Sequence, residues 1–347
     1  MTTYALLPKV SANRVYGESA FALAAAELEV LDRHVLGGVV HQVERIELGG
    51  VGYLQLACGD RDLDDEAVAV LSNLSAIHAL FAVDGDRLRP LPVAPVRRHD
   101  DDVVTIQRYA GKTNEALTHL LVNLALAVTP DGFARVRADA PVRLLDPACG
   151  RGTTLNRAIV YGIDAVGVEH DHRDLEAYEA FLLGWLKDKR LKHDVQRATL
   201  RKGRPAPAHR CTVTYGAGKD RTTHRIVDVI HDDTVGLGSH VAARSVDLLV
   251  CDLPYGVQHG ASAAPTSLRR SPGDLVAAAL PAWREVLRPG AGVALAWNLR
   301  TLSRPELVDR LVEGGLELCT PPDDGRFEHR VDRSIQRDVV VARRPPS

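Results

Sequence analysis

LLDPACGRGTT, Leu144 to Thr154, is the stretch on which the reading of this chain turns. An apolar pair runs into an acid, Asp146, then into a loop with glycine at 150 and 152, and a helix reads onward from Thr153. Glycine lets a backbone come close to a ligand because no Cβ stands in the way. The start of the following helix carries unpaired N–H groups that favour negative charge. Glu169 closes the next apolar run, DAVGVE, about twenty residues on, where a carboxylate can accept both hydroxyls of a ribose. Together these describe a nucleoside site. The dinucleotide pattern GxGxxG needs a third glycine where Leu155 stands, which argues against a nicotinamide cofactor.

A second stretch, VDLLVCDLPYG from Val246 to Gly256, carries the chemistry. Its unbroken apolar run predicts a strand buried on both faces. It ends on Asp252, an acid that is costly there unless it is exposed and used. An exocyclic amino group on guanine or adenine is a poor nucleophile because its lone pair is delocalised into the ring. Accepting hydrogen bonds from its N–H groups favours pyramidalisation and aims that lone pair. Asp252 supplies one acceptor, and the backbone carbonyl of Leu253 or Pro254 supplies another. Proline fixes the loop and brings no competing donor. Tyr255 offers a flat face for an extruded base, a contact worth roughly 1–3 kcal/mol at comparable stacking sites.

Outward from these stretches the chain alternates strand and helix from Val142 to the closing IQRDVVVAR, which predicts a mostly parallel sheet covered on both faces. Ligands of such sheets bind beyond the carboxyl ends of the strands. The first hundred residues read differently: YALLPKV as a strand, ESAFALAAAELEVL as a helix, and HQVERIE and VGYLQLAC as strands joined at Gly49-Gly50. DDEAVAVLSNLSAIHALF follows as a helix, or a helix then a strand, and RLRPLPV as the final extended piece. That is βαββαβ, a ferredoxin-like α+β unit. The expected organisation is therefore a ferredoxin-like domain over 1–95, a proline- and charge-rich linker over 96–106, and a nucleoside-binding α/β domain over 107–347.

Asp146-Pro147-Ala148-Cys149-Gly150-Arg151-Gly152-Thr153 resembles the DPxCGxGT loop of S-adenosylmethionine-dependent methyltransferases that modify nucleobase amino groups, and Asp252-Leu253-Pro254-Tyr255 resembles their (D/N)PP(Y/F) signature. Leu253 in place of the first proline, the following Gly256 and the ferredoxin-like start are similar to the THUMP-related tRNA guanosine-N2 methyltransferases, the eleventh-member Trm type among them. The likeness runs from about Gln107 to the C-terminus. It implies a Rossmann-like class I methyltransferase sheet and S-adenosylmethionine as cofactor. It also implies roles: Asp146, Pro147, Cys149, Gly150, Gly152 and Thr153 around the methionine end, Glu169 on the ribose, and Asp232 or Asp233 on the adenine amino group. Thr113 and Asn114, in GKTNE, would help hold the cofactor carboxylate, and Asp252, Pro254 and Tyr255 would form the catalytic loop. About a hundred residues precede the linker, room for one ferredoxin-like unit but not for a full THUMP domain besides.

With 45% hydrophobic and 25% charged residues, 347 positions can build two globular cores. No apolar run is long enough to span a bilayer, and MTTYALLPKV lacks a secretory pattern, so a cytoplasmic protein without a membrane partner is expected. Five dispersed cysteines show no metal-ligand spacing, so no metal is expected either. A net charge of −2 does not announce nucleic acid, but Lys187 to Arg225 holds twelve Lys or Arg against three acids. That basic insertion is either a phosphate-contacting segment or a solvated one. The expected activity is methyl transfer to the 2-amino group of guanine in RNA, tRNA foremost. The alternatives are adenine N6 in rRNA or DNA, and a non-catalytic cofactor- or RNA-binding protein.

Overall fold

The computed structural model describes residues 2–9, 14–59, 61–200, 208–216, 224–254 and 271–346. The N-terminal part runs β1 (Thr2–Pro8), α1 (Arg14–Leu31), β2 (Val40–Leu48), β3 (Val51–Cys58), α2 (Asp65–Leu71), β4 (Ile77–Asp84) and β5 (Arg87–Leu91). Its strands form one sheet in the order β2-β3-β1-β4-β5, antiparallel throughout. The first four strands have the ferredoxin-like order. Gly49 and Gly50, at φ 57° and 79°, form the β2–β3 turn that the glycine pair predicts.

Of the two possibilities for DDEAVAVLSNLSAIHALF, a helix followed by a strand is the one that forms. The fourth strand is Ile77–Asp84, and the RLRPLPV piece supplies a fifth strand hairpinned onto it. The α2 helix stops early because Ser72 and Asn73 turn their side chains back onto the carbonyls of Val68 and Ala69. Those bonds satisfy the last turn and release the chain to become a strand.

Residues 96–106 pack against the larger part. They contain α3 (Asp102–Thr105), whose Val103 and Val104 are buried, and Asp102 accepts the Trp185 indole N–H at 2.9 Å. The larger part continues with α4 (Glu115–Val128), α5 (Gly132–Arg137), β6 (Arg143–Asp146), α6 (Thr153–Tyr161), β7 (Asp164–Glu169), α7 (His172–Asp188), β8 (Lys192–Leu200), β9 (Ala208–Gly216) and β10 (Arg225–His231). It closes with β11 (Val246–Asp252), α8 (Pro272–Val286), β12 (Leu287–Asn298), α9 (Arg304–Glu313), β13 (Glu317–Leu318), β14 (His329–Arg330) and β15 (Gln336–Arg343).

The sheet order is β13-β15-β12-β11-β6-β7-β10-β9-β8, with β14 paired to β15. The run β10, β7, β6, β11, β12 is parallel, and β15 and β9 are antiparallel to their neighbours. Winding proceeds one way from β6 and the other way from β11, so the switch in direction falls between those two strands. This is a Rossmann-like, doubly wound α/β sheet.

Both faces are covered, which is why VDLLVCD shows no polar alternation. Leu248 and Val250 join the core under α4 and α6, while Leu249 and Cys251 join the one under α8 and α9. The two-residue repeat then sets Asp252 on the α4 side. The basic stretch becomes the β8–β9 hairpin beside β10, and several of its cations are held internally: Arg197 by Glu179, Arg210 by Asp228, Arg225 by Asp139 and Lys189 by Asp100. Its residues 201–207 and 217–223 lie outside the described residues. Among the described residues no helix is long and apolar enough to cross a membrane.

Candidate active site

A cavity of about 420 Å³ opens beyond the carboxyl ends of the parallel strands. Asp146 ends β6, Glu169 ends β7, Asp232 follows β10 and Asp252 ends β11, so the sheet delivers four acids to one rim. Thr113, Pro147, Cys149, Gly150, Thr153, Asp233 and Pro254 line the same space. Tyr255 and Gly256 lie outside the described residues.

The two loop glycines turn out to serve different ends. Gly150, at φ +51°, would carry a Cβ into open space, the cavity itself. A Cβ on Gly152, at φ +76°, would stand 2.3 Å from the ring of the fully buried Tyr178, so that glycine lets α7 pack against the loop. Glu169 is fixed from two sides: its Oε2 accepts Gly150 N–H at 2.8 Å and its Oε1 accepts Asp171 N–H at 2.7 Å. Cys149 gives its N–H to the Val168 carbonyl, and burial pushes its thiol well above the usual range, so it is no nucleophile.

Asp146 is buried and accepts Ala148 N–H at 3.1 Å. Burial, opposed by hydrogen bonds from Thr154 and Ala148 and reinforced by the charges of Glu169 and Asp252, pushes its carboxyl up to about 7. Among the described lining residues six carboxylates (Asp146, Glu169, Asp174, Asp232, Asp233 and Asp252) face the guanidinium of Arg151. Such a field favours a cationic ligand and opposes a pyrophosphate.

Asp233 caps the turn Thr234–Ser239, accepting Val235 N–H at 3.0 Å. Asp232 meets His240 Nε2 at 2.5 Å, and its own N–H donates to the Glu169 carbonyl at 3.1 Å, tying the end of β10 to that of β7.

Asp252 is held through Oδ2, which accepts the Thr113 hydroxyl at 2.9 Å and the Arg337 guanidinium at 3.1 Å. Asn114, not Thr113, caps α4, accepting Ala116 N–H at 2.8 Å and leaving the threonine to reach the acid. Leu253 donates its N–H to the Ala296 carbonyl at 2.8 Å and buries its side chain, so a residue other than proline extends the β11–β12 pairing here.

Several lining residues escape sequence reasoning. The Arg151 guanidinium lies 4.9 Å over the Tyr109 ring and donates to Asp174 at 2.8 Å, while the Tyr109 hydroxyl meets Thr153 Oγ1 at 3.2 Å. Tyr109 sits next to GKTN in the chain, but a single aromatic in a loop carries no periodic signal. Among the described residues no group of three or more His, Cys, Asp or Glu is placed to hold a metal ion.

No family model matches this chain, and no curated protein does. Among solved structures the fold is similar to TrmN from Thermus thermophilus, 14% identical over 99% of this chain and 100% of that one, with a TM-score of 0.45. It is also similar to a TehB-like SAM-dependent methyltransferase from Corynebacterium glutamicum, 16% identical over 61% of this chain and 86% of that one, TM-score 0.33. An rRNA methylase from Streptococcus thermophilus is 9% identical over 65% of this chain and 95% of that one, TM-score 0.37. These are likenesses of fold.

Proposed function

We propose that this protein is an enzyme that transfers a methyl group from S-adenosylmethionine to the 2-amino group of a guanine in RNA, with tRNA as the expected substrate. The observation that carries the reading is that Asp252, an acceptor suited to an amino group, shares one cavity with Gly150 and Glu169, the elements of a nucleoside site. The cavity is of a size usual for a small-ligand site, and its excess of carboxylates suits a cofactor bearing a sulfonium and an ammonium. Gly150 and its neighbours would hold the methionine end, Glu169 the ribose, and Asp232 or Asp233 the adenine amino group. The cofactor, when bound, supplies the electrophilic methyl.

The protein's own work is then to bind, orient and exclude water. Asp252 accepts an amino N–H, the loop carbonyls at Leu253 and Pro254 offer a second acceptor, and Tyr255 is proposed to stack on the base. A carboxylate also favours guanine. N1–H and the 2-amino group present two adjacent donors, whereas adenine N1 presents a lone pair that a carboxylate repels. The register His231↔His209 and Leu200↔Ala208 puts the C-terminal end of β8 and the start of β9 at the cavity edge of the sheet, and the sequence that joins them, RKGRPAP, is rich in the cations that contact a phosphate backbone.

Tritiated methyl transfer to total RNA and to DNA, followed by nucleoside analysis, tests the proposal. Labelled N2-methylguanosine is expected. Labelled methyladenosine would move the reading to adenine, and cofactor binding without transfer would remove the enzymatic one.

A further inference from the structure

We propose that Arg337 is a positioning residue for methyl transfer, holding the Asp252 carboxylate fixed as the acceptor of the substrate amino group. The inference rests on the amino-methylation reading above. Arg337 lies on β15 opposite Asn298 of β12, and Asp252 lies on β11 opposite Ala296 of the same strand. Its side chain, 5% exposed, thus reaches across β12 to a carboxylate two strands away and 85 residues distant in sequence. Docking of β15 does not account for this reach. Val339, Val340, Val341 and Ala342 already bury the strand, and the neighbouring Asp338 already pairs with Arg304 of α9 at 2.5 Å.

The two donors on Oδ2 set the orientation of the carboxylate toward the cavity. The groups that face Asp252 are Arg337 from β15, His329 from β14, Thr113 ahead of α4, Asp146 from β6 and the neighbouring Cys251 thiol. Burial raises the Asp252 pKa, while Arg337, Thr113 and His329 pull it back. A carboxyl that took up a proton would present a donor where the reaction needs an acceptor. Removing the guanidinium therefore both loosens Asp252 and shifts its titration upward.

The test uses the full chain as wild type, Arg337→Lys, Arg337→Gln and Arg337→Met. Initial rates between pH 5.5 and 9 give kcat and KM, and a ¹³C titration of the Asp252 carboxyl, assigned with Asp252→Asn, needs no activity. In Arg337→Met the carboxyl titration and the acid limb of kcat are expected to move up together by about one pH unit, a tenfold change in ionised fraction. On the acid limb kcat should fall about tenfold while the cofactor KM stays within about threefold, and lysine should restore most of the loss. If Arg337→Met does not fold, Arg337→Gln takes its place. A carboxyl titration that does not move overturns the proposal, as does one that moves with kcat unchanged. If wild type transfers no methyl to RNA, the functional reading fails on its own, and the carboxyl titration still decides whether Arg337 governs Asp252.

Discussion

Thr113 and Asp252, 139 residues apart in the chain, meet through a 2.9 Å hydrogen bond from hydroxyl to carboxylate. The threonine stands immediately before the Asn114 cap of α4, and the acid is the last residue of β11. The helix that precedes the glycine loop thereby orients the acid of the second motif, so the two signatures are built as one site.

Asp252→Ala should leave cofactor affinity within a few-fold and lower methyl transfer by orders of magnitude, with a stability loss of about 1–3 kcal/mol from the broken hydrogen bonds. Single-turnover methyl transfer beside cofactor titration checks this, and unchanged turnover would refute the assigned role.

The two glycines should separate cleanly. Gly152→Ala places a methyl against the fully buried Tyr178 ring at a positive φ and should destabilise the protein by about 1–3 kcal/mol or more, read by urea denaturation. Gly150→Ala meets no protein atom, so strain near 1 kcal/mol is expected, while cofactor binding weakens at least tenfold because the methyl enters the cavity.

Asp146 makes binding and stability respond to pH in opposite directions. Its carboxyl titrates near 7 when folded, against an ordinary 3.8. The folded protein therefore holds a proton that the unfolded chain has lost, so this group's contribution to stability declines as pH rises from about 4 to about 7 and is flat above. A cationic cofactor favours the ionised form. Its affinity should climb up to about pH 7, with proton release on binding, and Asp146→Asn should abolish both. Calorimetry in buffers of different ionisation enthalpy measures the released proton.

Glu27 lies fully buried on α1, its carboxylate accepting from Ser75 N–H, the Ser75 hydroxyl and Asn123 Nδ2 of α4. Glu27→Gln would turn a donor toward those donors and cost about 1–3 kcal/mol without changing cofactor affinity. Burial raises Glu27 to about 7, so wild type loses stability as pH rises toward that value and the variant does not. The gap should be wider at pH 5 than at pH 8 in chemical denaturation.

Much of this molecule follows from local pattern. The apolar run of β11, the glycine loop after β6 and the acid ending β7 are legible because each is a period or spacing within a few residues, and the sheet's polarity then places all three at one edge. Even the hairpin at Gly49-Gly50 reads directly from the pair. Local pattern left one choice open: SNLSA reads as helix or as the end of one, and the bonds from Ser72 and Asn73 back to the carbonyls of Val68 and Ala69 decide for the end.

Spacing along the chain settles which residues end the strands and hence which acids meet at one rim. Their neighbours come from packing alone: Arg337 across β12 from Asp252, Thr113 on its α4 side, Tyr178 behind Gly152, and Arg151 over Tyr109. Such partners depend on strand order and on how helices settle against the sheet. Those follow from burying the whole core at once, and no interval along the chain records them.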